Sequence, residues 1–210
     1  MQKNIRLLSL LLVGSILACG ATVSNGTISL LFDQIPSGVI AAETAPGSFA
    51  LFGFNTVPTF AGTFVNGNLT LNAGVTAPPL HFEGDFLADS PTVQVFNTTG
   101  SPVAFSIPYT FDILTSAISP LYSYAWFHLD VLRNGLPYDD EWFGASYRTS
   151  HETTSNLSIN ETLAGGQSVT YLISAQGVVS EMPEPSTGGL MAISCVAFFL
   201  ILRIPFALRR

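Results

Sequence analysis

Thr63-Phe64-Val65-Asn66-Gly67-Asn68-Leu69-Thr70-Leu71 is the stretch whose reading decides the fold. Asn and Gly both tolerate positive φ, so Asn66-Gly67 between two short apolar and β-branched runs predicts a two-residue β-hairpin. A second pair, Asn134-Gly135, follows a run from Leu121 to Leu132. Further runs of the same kind extend from Thr92 to Phe96, Val103 to Phe111 and Ser168 to Ala175. Asn97-Thr98-Thr99-Gly100-Ser101-Pro102 is a polar turn between two of them. At least seven strands follow, with the prolines at 108, 120 and 137 expected at strand ends or edges. No repeat of 20 to 50 residues is present, which argues against solenoids and propellers.

Composition agrees with an all-β chain. Of 210 residues 48% are apolar and only 10% charged, with 18 Gly, 13 Pro and 16 Phe. The approach to the last run, Leu163-Ala164-Gly165-Gly166-Gln167-Ser168-Val169-Thr170-Tyr171, resembles that of an immunoglobulin- or fibronectin-like domain, which implies a two-sheet β-sandwich. The expected organisation is a signal peptide over residues 1–21, a β-sandwich domain over 22–181 and a C-terminal sorting segment over 182–210.

From Thr22 to Met182 there are 13 acidic residues against Arg133 and Arg148, a net −11 with no lysine. Such a surface repels nucleic acid, whose affinity for proteins depends on Lys and Arg neutralising phosphate. The two cysteines, Cys19 and Cys195, lie in the terminal apolar segments, so this region has neither a disulfide nor a cysteine nucleophile.

Lys3 and Arg6 precede an apolar run from Leu7 to Leu17, followed by Ala18, Cys19, Gly20 and Ala21, the order of a secretory signal. Eleven apolar residues span about 16 Å as helix, too short for a permanent anchor. Sec-type export with cleavage near Ala21 is expected. The alternative treats Ile16-Leu17-Ala18-Cys19 as a lipobox with Cys19 lipidated.

At the other end Met182-Pro183-Glu184-Pro185-Ser186-Thr187 leads into an apolar stretch from Gly188 to Leu202, then Arg203, Arg209 and Arg210. Fifteen residues cover about 22 Å and extension to Leu208 about 31 Å, against a hydrocarbon core of roughly 30 Å. Arginines after the span place the C-terminus inside and the domain outside. The prolines keep residues 183–185 extended, the form a processing enzyme needs. This tail resembles the PEP-CTERM family of exported bacterial proteins: Pro-Glu-Pro, a transmembrane helix and a basic end, in that order. Pro205, after Arg203, and Cys195, within the span, depart from the plain pattern. The resemblance implies that an exosortase-like membrane protease or transpeptidase recognises Pro183, Glu184 and Pro185. It further implies delivery to the surface or biofilm matrix of a Gram-negative-type cell, in company with exopolysaccharide.

Three side-chain groups are candidates for chemistry. On a strand from Leu121 to Leu132, Tyr122, Tyr124, Trp126, His128 and Asp130 share one face, and Leu121, Phe127, Leu129 and Val131 the other. Tyr122, Tyr124 and Trp126 are the candidate glycan contacts, with Trp142, Phe143 and Tyr147 just downstream. His81, Glu83 and Asp85 alternate with Phe82 and Phe86 and read as a solvated strand face. Asp139-Asp140-Glu141 reads as a solvated acidic loop, since consecutive acids do not converge on one ion. No metal, cofactor or catalytic residue is expected. Gly-x-Ser-x-Gly, His-Glu-x-x-His and phosphate-loop motifs are absent from the sequence.

The functional expectation is therefore a non-enzymatic structural or adhesive surface protein. A carbohydrate-binding module is the alternative, and a secreted hydrolase the third. The sequons at Asn25, Asn68, Asn97, Asn156 and Asn160 are taken as a by-product of Asn and Thr richness.

Overall fold

The computed structural model describes residues 21–54, 56–77, 82–117, 122–146 and 149–182. Among them the chain forms β1 (Thr22–Leu31), β2 (Val39–Ala45), β3 (Ser48–Phe54), β4 (Val57–Val65), β5 (Asn68–Ala77) and β6 (Phe82–Asp89). There follow β7 (Thr92–Asn97), β8 (Val103–Ala117), β9 (Tyr122–Arg133), β10 (Leu136–Ser146), β11 (Thr149–Leu163) and β12 (Ser168–Met182). Two antiparallel sheets pack as a sandwich. The smaller runs β11-β8-β1-β5-β4; the larger runs β10-β9-β12-β6-β3, with β7 also on β12 and β2 beside β7.

Both Asn-Gly pairs turn as their chemistry requires. Asn66 and Gly67 have φ of 51° and 74°, Asn134 and Gly135 of 53° and 75°. Positive φ at both central residues gives a turn whose twist matches its strands, and Val65 pairs with Asn68, Arg133 with Leu136. These hairpins join β4 to β5 and β9 to β10.

β12 is the spine of the larger sheet. It pairs with β9 over Tyr171–Met182, and on its other side with β7 and then β6. The change of partner falls at Ser90-Pro91, where proline cannot donate to the ladder. Ser90 bridges the gap: its N–H donates to Ile173 O at 2.8 Å, and its Oγ accepts from Ile173 N–H at 3.0 Å.

Between the sheets lie Ile28, Leu30, Leu69, Leu71, Ile107 and Ile113 from the smaller and Phe86, Phe127, Leu129, Val131, Tyr171 and Ile173 from the larger, all essentially buried. Alternation produces this, since a strand buries every second side chain. Gly26 is required by packing: a Cβ there would stand 2.5 Å from Phe127 Cζ.

Polar ties also cross the interface. Arg133 on β9 forks onto Glu161 on β11, Nε to Oε2 at 2.7 Å and Nη2 to Oε1 at 2.9 Å. The Tyr171 hydroxyl on β12 donates to Oε2 at 2.8 Å, and Thr162 N–H donates to Oε1 at 3.2 Å. Glu161 is buried, and the Arg133 fork holds its carboxyl below the usual range against the opposing effect of burial. Burial, reinforced by Glu161, pushes the Tyr171 hydroxyl up. Tyr109 on β8 donates to Asp139 on β10 in a second tie.

Several expectations are corrected. Asp139-Asp140-Glu141 is not a loop but part of β10, paired with Val131, Asp130 and Leu129. Pro108 lies inside β8 but at a local edge, in line with expectation: it is opposite Ser158 of β11, where the β1 ladder has already stopped at Tyr109–Leu30, while Pro120 lies outside the described residues. Val103–Phe111 continues to Ala117 and Ser168–Ala175 to Met182, one residue past the expected domain boundary. Asn97 of the third sequon is buried, its Nδ2 donating to Ser101 O and Leu163 O, both at 2.9 Å. Among the described residues no helix is long and apolar enough to cross a membrane. The expected signal peptide and C-terminal span lie outside the described residues, apart from Ala21 and Met182.

Replacing Arg133 by Ala leaves Glu161 buried without its cation. A fully buried pair broken this way costs about 3–5 kcal/mol; with the guanidinium side chain 38% exposed, about 2–3 kcal/mol is expected in denaturant unfolding at pH 7. Because the Glu161 pKa is lowered on folding, this contribution is present above the unfolded value of about 4.3 and fades as pH falls through the folded value. The stability gap between native and R133A protein should therefore close in acid. A gap independent of pH would contradict the assignment.

Candidate functional site

The face of β9 turned away from the core carries Tyr124, Trp126, His128 and Asp130. Register carries this row across the sheet. Trp126 pairs with Val178 of β12, Val178 with Asp85 of β6, and Asp85 with Phe52 of β3. One step along, Tyr124 pairs with Ser180, and Ser180 with Glu83. The result is a groove with aromatic rings on one bank and carboxylates on the other. It is lined by Tyr124, Trp126, Val178, Glu83, Asp85 and Gly53, with a volume of about 390 Å³. That lies within the range of small-ligand sites. The smaller sheet holds the groove from beneath, where Ser24 Oγ on β1 donates to Trp126 O at 2.6 Å.

β10 extends the aromatic bank. Trp142 pairs with His128 and stacks on its imidazole, centroids 3.9 Å apart and planes inclined by 16°. Its ring lies 5.3 Å from that of Trp126 and is 62% exposed. His128 Nε2 lies 2.7 Å from Asp140 Oδ1 and 3.7 Å from Asp130 Oδ1. Burial raises the Asp130 pKa; the nearby His128 opposes this and Asp140 adds to it.

Tyr124 and Trp126, two of the candidate contacts, thus line one groove. Tyr122 keeps their backbone register, opposite Met182, while its side chain lies outside the described residues. Glu83 and Asp85, taken from sequence as a separate solvated face, form the opposite bank; His81 lies outside the described residues. So do the residues expected to serve sorting, Pro183, Glu184 and Pro185, and the expected basic flank Arg203, Arg209 and Arg210.

Sequence reasoning missed the Trp142–His128 stack and the joining of Asp140 to His128. Counting back from the Asn134-Gly135 turn puts Trp142 opposite Phe127, on the core face. An irregularity between Pro137 and Asp139 shifts β10 by one residue and brings Trp142 opposite His128 instead. Pro137 beside the Asn-Gly turn was the available signal.

Fold and groove together define an all-β, two-sheet sandwich with an aromatic and acidic outer face. No protein-family model matches the chain, and no curated protein matches it. The surface chemistry must therefore speak for itself.

In metal-free buffer the Asp130 carboxyl should titrate above the ordinary aspartate value of about 3.9 by NMR, and Asp140→Asn should lower it without restoring that value, since burial is the larger cause. An Asp130 titrating at or below the ordinary value would contradict the geometry.

Proposed function

We propose that this chain is an exported bacterial cell-surface protein, sorted by an exosortase-like enzyme, whose sandwich holds exopolysaccharide in an adhesive and non-enzymatic role. The observation that carries the ligand is the groove between Tyr124 and Trp126 on one side and Glu83 and Asp85 on the other. Sugar rings present apolar C–H faces that lie on aromatic rings, and hydroxyls that donate to carboxylates. The lysine-free domain selects further, because a strongly acidic surface favours neutral over anionic polymer. The PEP-CTERM-like tail and Sec-type leader supply the route to the matrix.

An immunoglobulin- or fibronectin-like relationship is part of the same proposal. Antiparallel two-sheet packing and the Gly165-Gly166 approach to β12 support it, although the twelve strands among the described residues exceed the seven or nine of such modules. A secreted hydrolase is the second reading, favoured by the two carboxylates lining one groove. Both come from β6 and stand on the same bank, whereas a glycosidase flanks the scissile bond with its pair.

Affinity electrophoresis through gels containing the producing cell's matrix polysaccharide tests the site. Retardation of the native protein is expected, with Trp126→Ala weakening it about tenfold or more and Tyr124→Ala also weakening it. Identical migration of native and W126A protein with and without polysaccharide would remove the glycan reading. Release of reducing sugar by the native protein, lost in Glu83→Gln, would replace it with the hydrolase.

A further inference from the structure

We propose that His128, Asp130 and Asp140 bind one divalent transition cation of the zinc class at the β9–β10 edge of the outer face. The site is independent of the glycan groove, and either can fail without the other.

The donor set is mixed: one imidazole nitrogen and two carboxylates, all within 4.8 Å of one another. Imidazole selects zinc-class cations over calcium or magnesium, which prefer oxygen alone. Three protein ligands leave a position for water or an outside oxygen, as in open zinc sites.

The spacing suits a metal. Ligands at about 2.0–2.2 Å in tetrahedral array stand about 3.4 Å from each other. The Nε2 distances to Asp140 and Asp130, 2.7 and 3.7 Å, bracket that value. The two carboxylates also lie within 4.8 Å of each other, and the Asp140 side chain, 53% exposed on an edge strand, is free to turn and close the shell.

The positions of these groups are fixed by backbone pairing. Asp130 and Asp140 are cross-strand partners, so both carboxylates stand on one face of the ladder, which disfavours them without a counter-charge. Arg133 is the one Arg or Lys among the described residues, and Glu161 occupies it. Among the described residues His128 is therefore the nearby group able to answer the two carboxylates. In the metal-free form its Nε2–H donates to Asp140; a cation takes the place of that proton. Trp142 packed flat on the ring fixes its orientation, the part usually played by groups around a metal ligand.

The test is calorimetric titration of the purified exported chain with Zn²⁺, with tryptophan emission followed in parallel. Trp126 and Trp142 are the two tryptophans of the chain, and Trp142 lies on the proposed ligand, so emission localises the event. One equivalent should bind with a saturable change in emission. His128→Gln and Asp140→Asn should each weaken binding about tenfold or more with unchanged circular dichroism, while His151→Gln should bind as the native chain does. Should H128Q lose its fold, D140N decides, because Asp140 is exposed on the sheet edge. Absence of saturable binding, or binding of equal strength in D140N, would overturn the proposal.

Discussion

Each residue of β9 that buries its side chain obliges its neighbour to display one. Ala125, Phe127, Leu129 and Val131 go into the sandwich, so Tyr124, Trp126, His128 and Asp130 stand on its outer face. A slip of one residue in the β9–β12 ladder would send Trp126 and His128 into the core and Phe127 into solvent, at a cost no surface contact could offset. Core and groove are therefore one feature seen from two sides. The Phe127 ring occupies the space opposite Gly26, and Ser24 holds the backbone carbonyl of Trp126. The aromatic bank consequently rests on buried core residues, which favours a preformed site.

The second constraint is electrostatic. A domain with 13 acids and two arginines has few counter-charges to distribute. Arg133 serves the buried Glu161 and, with Tyr171, ties β9 and β12 to β11 across the sandwich. Tyr109 ties β8 to β10 through Asp139. Among the described residues, most of the acids that remain lie on exposed or half-exposed strand faces, where water screens them, or beside His128. Weak attraction for polyanions follows from this distribution.

Much of this was legible in the sequence, and for physical reasons. Asn66-Gly67 and Asn134-Gly135 name their turns because so few residues accept positive φ twice in succession. β9 is legible because Ala125, Phe127, Leu129 and Val131 recur with a period of two. β11 was not: Thr149–Leu163 is mostly Thr, Ser, Asn and Glu, and is held by β8 at the edge of the smaller sheet with little apolar alternation to announce it. The groove was half legible. The aromatic bank and the acidic bank each showed within one strand, but their meeting across β12 is a matter of register between distant segments. The Arg133–Glu161 fork joins residues 28 positions apart on different sheets, and no local pattern announces it.

The proposed delivery to the surface would act through the ends of the chain, next to the sandwich. β12 continues to Met182, so the Pro-Glu-Pro motif follows the last paired residue of the larger sheet directly. A processing enzyme working there would release the whole sandwich with its spine complete. The most direct measurement is the intact mass of protein recovered from the cell surface and medium, for the native chain and for a Pro183→Ala, Glu184→Ala, Pro185→Ala variant. Native protein lacking the leader and the segment after the motif, with that segment kept in the variant, is the predicted result. Retention of the tail through Arg210 in both would contradict it and leave a plain single-pass anchor.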